Sequence, residues 1–279
     1  MTKSEALLYR QNPGLPQPLH CGQRIREPRK TFVFFCCLSF FSKHYTNPGG
    51  SNLIPVTQNI MKRKLNLKKV KVSRQREIAP GVFVLSFPRP WDFTAGQVIG
   101  ISGHETAEAR LYSIASGELD DEVDILYNIN PEGKLTPWMA QLNTADTIWV
   151  SEPFGSFTGS GEAGWWIASG TGIAPFSAMF RTGLTAGKKL LHGGRDLKSF
   201  YFSEMFGTEL GENYVRCCSR EQGQDIYHGR LTQYLTEHPD LSPSEKYYLC
   251  GSAEMVVDVR DILISRGIPF DHIISEIYF

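Results

Sequence analysis

Between residues 65 and 73 apolar and charged positions alternate: Leu65, Leu67, Val70 and Val72 are spaced by lysines. Short apolar runs follow at 82–87, 97–101, 111–114, 123–127 and 147–150, divided by Pro, Gly and Asp turns. Runs this short, rich in Val, Ile, Phe and Tyr and closely spaced, predict an antiparallel β-barrel. One helix interrupts them at 135–142, entered through Gly133. Near Gly159-Ser160-Gly161 the pattern changes. Buried strands are expected at 165–168, 190–192, 214–217 and 247–250, with helices between them. One begins over 175–181; another, over 253–265, repeats Met255, Val256, Val259, Ile262 and Leu263 at helical spacing. Strands alternating with helices predict a parallel sheet covered on both faces, a Rossmann-like lobe. The fold class is thus β + α/β, with a barrel domain over 61–159 and an α/β domain over 160–279.

Composition changes this picture at the N-terminus. The whole chain carries 29 basic and 29 acidic side chains, yet residues 1–60 hold seven Lys/Arg and two Glu. The remainder is acidic, apart from 61–76, which has eight Lys/Arg and no acid. An apolar run at 31–41 is shorter than the ~18–20 residues of a membrane span. It resembles a signal h-region but lies late and lacks a small-x-small cleavage site. Residues 1–60 are read as a disordered or non-native extension, with an organellar presequence as the alternative. Six cysteines without C-x-x-C and seven scattered histidines suit reduced thiols, a cytoplasmic location and no metal.

Four motifs carry candidate chemistry. Arg110-Leu111-Tyr112-Ser113 joins a guanidinium, an aromatic face and a hydroxyl on a predicted strand. Alternation puts Arg110 and Tyr112 on one face and Ser113 on the other. Gly133-Lys134-Leu135-Thr136 opens a helix, where free N–H groups bind anions. Gly170-Thr171-Gly172-Ile173-Ala174-Pro175 sits between a strand and a helix, with Pro175 suited to a first helical turn. Such a loop fits a pyrophosphate. Ser219-Arg220 follows the third strand of the second half; Arg195 follows the second, and Arg230 lies nearby in sequence. Each motif alone has a plain structural explanation: a filled barrel, a turn, a solvated charge.

Together, in this order and spacing, they resemble the ferredoxin/flavodoxin–NADP reductase family, in its short bacterial form. The likeness runs from about Leu65 to Phe279 and includes Phe93-Thr94-Ala95-Gly96-Gln97, Ser219-Arg220-Glu221, which resembles the adenosine-phosphate segment, Cys250-Gly251 with Met255, and the ending Glu276-Ile277-Tyr278-Phe279. It implies an FAD-binding barrel and an NADP(H)-binding lobe. Arg110, Leu111, Tyr112, Ser113 and Gly133 to Thr136 would hold FAD. Gly170, Thr171, Gly172 and Pro175 would hold the NADP pyrophosphate. Ser219, Arg220, Arg195, Arg230 and Tyr227 would meet the adenosine phosphate and adenine. Tyr278 or Phe279 would cover the flavin, and Ser113, Cys250, Glu276 and Tyr278 would be the catalytic group. Asp225, where many relatives have a basic residue, weakens the preference for NADP over NAD.

The implied reaction passes hydride from NADPH to FAD and then single electrons to a separate ferredoxin or flavodoxin. Lys68, Lys69 and Lys71 could steer that acidic carrier; a solvated strand face explains them equally. No nucleic acid partner or membrane insertion is expected, and a monomer is. The alternatives are an NADH-dependent reductase of an oxygenase system and a non-enzymatic flavin-binding subunit of a larger complex. FMN in place of FAD is not separated by these residues.

Overall fold

A computed structural model describes residues 65–238 and 240–278. The expected extension at 1–60 and the Phe279 assignment lie outside the described residues. Among the described residues no helix is long and apolar enough to cross a membrane.

The first half is an antiparallel barrel. Strands β1 (Leu67–Lys71), β7 (Thr147–Ser151), β4 (Val98–Ser102) and β5 (Arg110–Ser113) form one sheet in that order. Strands β2 (Arg74–Ala79), β3 (Val82–Pro88) and β6 (Glu122–Asn128) form the other. The bridge Ile114–Ile125 joins them on one side. On the other, the Ser73 N–H donates to the Ser86 carbonyl at 2.9 Å. Leu85, Phe87, Ile99, Ile101, Val123, Ile125, Ile148 and Val150 fill the interior. β3 reads as a continuous apolar run because both its faces are buried. Leu85 and Phe87 point into the barrel, whereas Val82 and Val84 point toward the second half.

The expected helix forms as α1 (Leu135–Met139) and ends before Leu142. The Gln75 side chain donates to the carbonyls of Met139 at 3.0 Å and Leu142 at 3.2 Å, capping the carbonyls where the helix stops.

The second half is a six-stranded parallel sheet. Its order is β11 (Tyr227–His228), β10 (Tyr214–Cys218), β9 (Lys188–Gly194), β8 (Gly164–Ser169), β12 (Lys246–Ser252), β13 (Ile273–Tyr278). Helices α2 (Ala174–Arg181) and α3 (Ser203–Leu210) cover one face; α4 (Leu231–Glu237) and α5 (Ala253–Ser265) cover the other. Trp166 and Ala168 of β8 face the first pair, and Trp165 and Ile167 the second. The chain ending, read from sequence as a tail, is a strand paired along its whole length with β12.

The two halves share a core. Val84, Ala95, Ala115, Leu126 and Phe157 of the barrel side pack with Ile173, Phe176 and Met179 of the α2 side. The Ser177 hydroxyl donates to the Ala115 carbonyl at 2.8 Å. One turn further, Arg181 pairs with Asp120 and Asp124, each at 2.7 Å. Asp124 also accepts from the Ser86 hydroxyl at 2.6 Å. At the far end of the sheet the buried Lys188 donates to the carbonyls of Ser160 and Glu162, fixing the connecting segment. Its ammonium lies 5.8 Å from the Trp166 ring and 5.7 Å from that of Tyr248, and burial lowers its pKa.

Candidate active site at the seam

β8 and β12 are neighbours although the chain leaves β8 toward β9, so the sheet order reverses there. Crevices at such a point, beyond the carboxyl ends of the strands, are where ligands bind in open α/β sheets. A 3-10 turn, Gly170–Ile173, follows β8 and runs into α2, with Pro175 buried in its first turn. A Cβ on Gly172 would lie 2.3 Å from the Cys250 carbonyl oxygen. A Cβ on Gly251 would lie 2.3 Å from the Ser169 hydroxyl. Glycine at both positions therefore lets the two strand ends close together. Gly170, at φ +55°, faces open space. Together they make a tight backbone turn with an uncrowded entrance, which fits a pyrophosphate.

Across the seam stands β5. As alternation predicts, Tyr112 turns toward the barrel and meets Tyr127 edge-on at 6.4 Å. Burial pushes its hydroxyl up to about 12, against the pull of Arg110. Ser113 turns the other way, toward β13. Its hydroxyl donates to Glu276 at 2.9 Å and accepts from the Tyr278 hydroxyl at 2.6 Å. Cys250, fully buried, is the register partner of Glu276 and lies against the Tyr278 hydroxyl. The four expected catalytic side chains thus come together, although residues 113 and 276 are 163 positions apart.

Their electrostatics follow from desolvation. Burial raises the Glu276 carboxyl to about 7, and the Ser113 hydrogen bond only partly opposes this. Burial, then the Glu276 charge, pushes the Cys250 thiol well above its ordinary value. The Tyr278 hydroxyl is raised for the same reasons. At neutral pH this is a set of neutral donors around one carboxyl whose pKa burial has raised toward neutrality.

Other expected residues sit at the rim. Leu111 is 45% exposed beside Arg110, whose guanidinium lies 3.6 Å from Glu108. A cation, an open apolar side chain and an aromatic ring on one strand suit a flavin with its phosphate. Gly133 and Lys134 precede α1 without a side-chain cap, and the Thr136 hydroxyl accepts from the Asn130 N–H at 2.8 Å. Thr136 is thus already engaged within its own loop.

Arg195 and Ser219-Arg220 follow adjacent strands at the carboxyl edge, joined through an Arg220 N–H bond to the Arg195 carbonyl at 3.0 Å. Arg230 precedes α4 and lies 3.7 Å from Glu254, so its charge is shared. Tyr227 donates to Glu237 at 2.6 Å. Ser169, against Gly251, and the Ser177–Arg181 pair at the seam were not picked out by sequence reasoning. The four-residue spacing of the latter on one helix face was the available signal.

This arrangement of a barrel strand against a parallel-sheet switch point defines a two-lobe pyridine-nucleotide oxidoreductase. Residues 166–261 match the family model for the oxidoreductase NAD-binding domain. Ferredoxin–NADP reductase B of Sorangium cellulosum is 28% identical over 231 residues, covering 73% of this chain and 94% of that protein. The toluate 1,2-dioxygenase electron transfer component of Pseudomonas putida is 25% identical over 231 residues, covering 77% and 68%. The crystal structure of a ferredoxin NADP+ reductase from Neisseria gonorrhoeae with bound FAD and NADP superposes with a TM-score of 0.70 at 21% identity. It covers 77% of this chain and all of that one. By these likenesses the chain is similar to ferredoxin–NADP reductases and related flavoprotein reductases, and residues 166–261 form its oxidoreductase NAD-binding domain.

Proposed function

We propose that the protein moves electrons from NADPH through bound FAD to a separate ferredoxin or flavodoxin in the cytoplasm, acting as a monomer. The observation that carries this reading is the Tyr278–Ser113–Glu276 chain, which links a barrel strand to the last strand of the parallel sheet. When bound, the flavin supplies the conversion between two-electron and one-electron transfer. The flavin belongs to residues 61–159 and the nicotinamide nucleotide to 160–279. Arg110 would neutralise flavin phosphate through its guanidinium, Tyr112 would offer its ring to the flavin, and the backbone of Gly133 to Thr136 would hold the second phosphate. Gly170, Thr171, Gly172 and Pro175 receive the nucleotide pyrophosphate. Arg195, Arg220 and Ser219 meet its 2′-phosphate, with Arg230 beside them and Tyr227 under the adenine.

Tyr278 occupies the seam and donates one hydrogen bond to Ser113, which a nicotinamide entering there would have to break. Glu276 holds or releases a proton at the Ser113 hydroxyl, for which its raised pKa suits it. Cys250 stays a neutral thiol, placed where it would lie beside the reacting rings. Buried free thiols at Cys217, Cys218 and Cys250 suit a reducing compartment.

The test is to extract and identify the flavin, then compare NADPH and NADH turnover with an artificial acceptor in wild type and Arg220→Ala. FAD, a preference for NADPH and its loss in the variant support the reading. A preference for NADH untouched by Arg220→Ala favours the oxygenase-reductase alternative. A yellow protein that reduces nothing is a flavin-holding subunit, and a colourless one refutes all three readings.

A further inference from the structure

Arg195 and Arg220 stand on separate loops, and their own side chains form no ion pair among the described residues. Backbone bonds begin to join the loops. The Ser219 N–H donates to Gly194 at 3.1 Å and the Arg220 N–H to Arg195 at 3.0 Å. The next contact comes from a side chain. The Glu221 carboxylate accepts from the Leu197 N–H at 2.7 Å. Leu197 opens the 3-10 turn Leu197–Ser199, so this amide has no partner within its own turn.

The segment then folds back over Leu197. A Cβ on Gly223 would come within 3.0 Å of the Leu197 side chain and 2.9 Å of Ile226. The Glu221 carbonyl lies 3.2 Å from His228 Nδ1, closing the segment against β11. Glu221, one residue beyond Arg220, therefore ties the loop after β10 to the loop after β9 at Leu197, two residues beyond Arg195.

A carboxylate beside a phosphate-binding arginine opposes the ligand by its charge. What accounts for it here is the Leu197 amide. We propose that Glu221 is a positioning residue for nucleotide choice. By clamping the two loops it holds Arg195 and Arg220 as a preorganised pair for the adenosine 2′-phosphate, and so sets NADP(H) over NAD(H). Preorganisation lowers the cost of ordering two long side chains on binding. This inference rests on the reading that these arginines meet the 2′-phosphate.

The test measures binding of 2′,5′-ADP and 5′-AMP to the flavin-loaded full chain by titration calorimetry. Wild type is expected to favour 2′,5′-ADP. Glu221→Ala is expected to weaken 2′,5′-ADP about tenfold, the low end for one charge-assisted hydrogen bond, and to leave 5′-AMP within about twofold. Glu221→Gln keeps an acceptor oxygen for Leu197 and is expected to retain the wild-type ratio. In turnover, Glu221→Ala raises KM for NADPH while kcat and the NADH parameters hold. A wild type that binds both ligands alike refutes the 2′-phosphate reading and this inference with it. A discriminating wild type with an unchanged ratio in Glu221→Ala overturns the inference alone. So does equal loss in the Ala and Gln variants, because the Gln side chain keeps an acceptor oxygen for the Leu197 N–H.

Discussion

Replacing Glu276 by Gln removes an ionisable group from the seam while keeping an acceptor oxygen for the Ser113 hydroxyl. In the wild type, burial lifts this carboxyl from its ordinary 4.5 to about 7. Below pH 4.5 both the folded and unfolded chains hold the proton. Between 4.5 and 7 the unfolded chain releases it and the folded chain keeps it. The folded state then binds more protons, so stability falls as pH rises. Above 7 both states are ionised and the loss is complete. At 1.36 kcal/mol per pH unit the full loss is about 3 kcal/mol, trimmed somewhat because the side chain is partly exposed. Cys250 and Tyr278, both pushed upward, stay neutral throughout this range and do not mask it.

The assay is urea unfolding of the flavin-loaded full chain, followed by tryptophan fluorescence, for wild type and Glu276→Gln at pH 4.5 and pH 8. Titrations shared by both proteins cancel in the paired difference. Glu276→Gln is expected to gain about 2–3 kcal/mol on wild type between the two pH values. A difference that stays constant within about 0.5 kcal/mol, or one that shrinks toward pH 8, refutes the desolvation argument.

Three further outcomes follow from the same geometry. Arg181→Ala strips Asp120 and the nearly buried Asp124 of their cation and is expected to cost about 2–3 kcal/mol in urea unfolding; no loss would show that the seam does not rely on this pair. Gly172→Ala drives a methyl into the Cys250 carbonyl, so nicotinamide nucleotide affinity should fall at least about tenfold in equilibrium titration, with flavin content retained. Lys68 and Lys69 are exposed on edge strand β1, whereas the Lys71 ammonium already donates to Ala145 and Thr147. If the lysines steer an acidic carrier, the Lys68→Ala/Lys69→Ala double variant flattens the salt dependence of carrier reduction; an unchanged slope leaves them as protection of a strand edge.

Much of the fold was legible because both halves bury regular patterns. The barrel strands announced themselves through short runs of β-branched and aromatic residues, and α5 through its helical spacing. β2 was missed. Its sequence, Arg-Gln-Arg-Glu-Ile-Ala, is mostly polar because it is a sheet-edge strand with much of its surface open to solvent. β13 was read only as a terminal tail. Its six residues are too few to show a period, and it is the ladder offered by β12 that makes it a strand. α1 was drawn too long because its end is set by Gln75, some sixty residues upstream.

The candidate site divides the same way. Local chemistry is written in local sequence. A strand followed by Gly-x-Gly and a proline that suits a first helical turn makes an anion-binding turn wherever it occurs, and Arg-x-Tyr-Ser alternates across any strand. Assembly is not local. Ser113 reaches Glu276 and Tyr278 only because the barrel docks on α2 through a shared core. Arg195 and Arg220 become neighbours only through the register of β9 and β10; Glu221 stands in the same sequence motif as Arg220, but its bond to Leu197 does not show there. Backbone geometry and side-chain period act over a few residues, and sequence alone determined what they control. Burial, which sets the Glu276 pKa and brings distant groups together, depends on every element at once, and only the tertiary structure decided it.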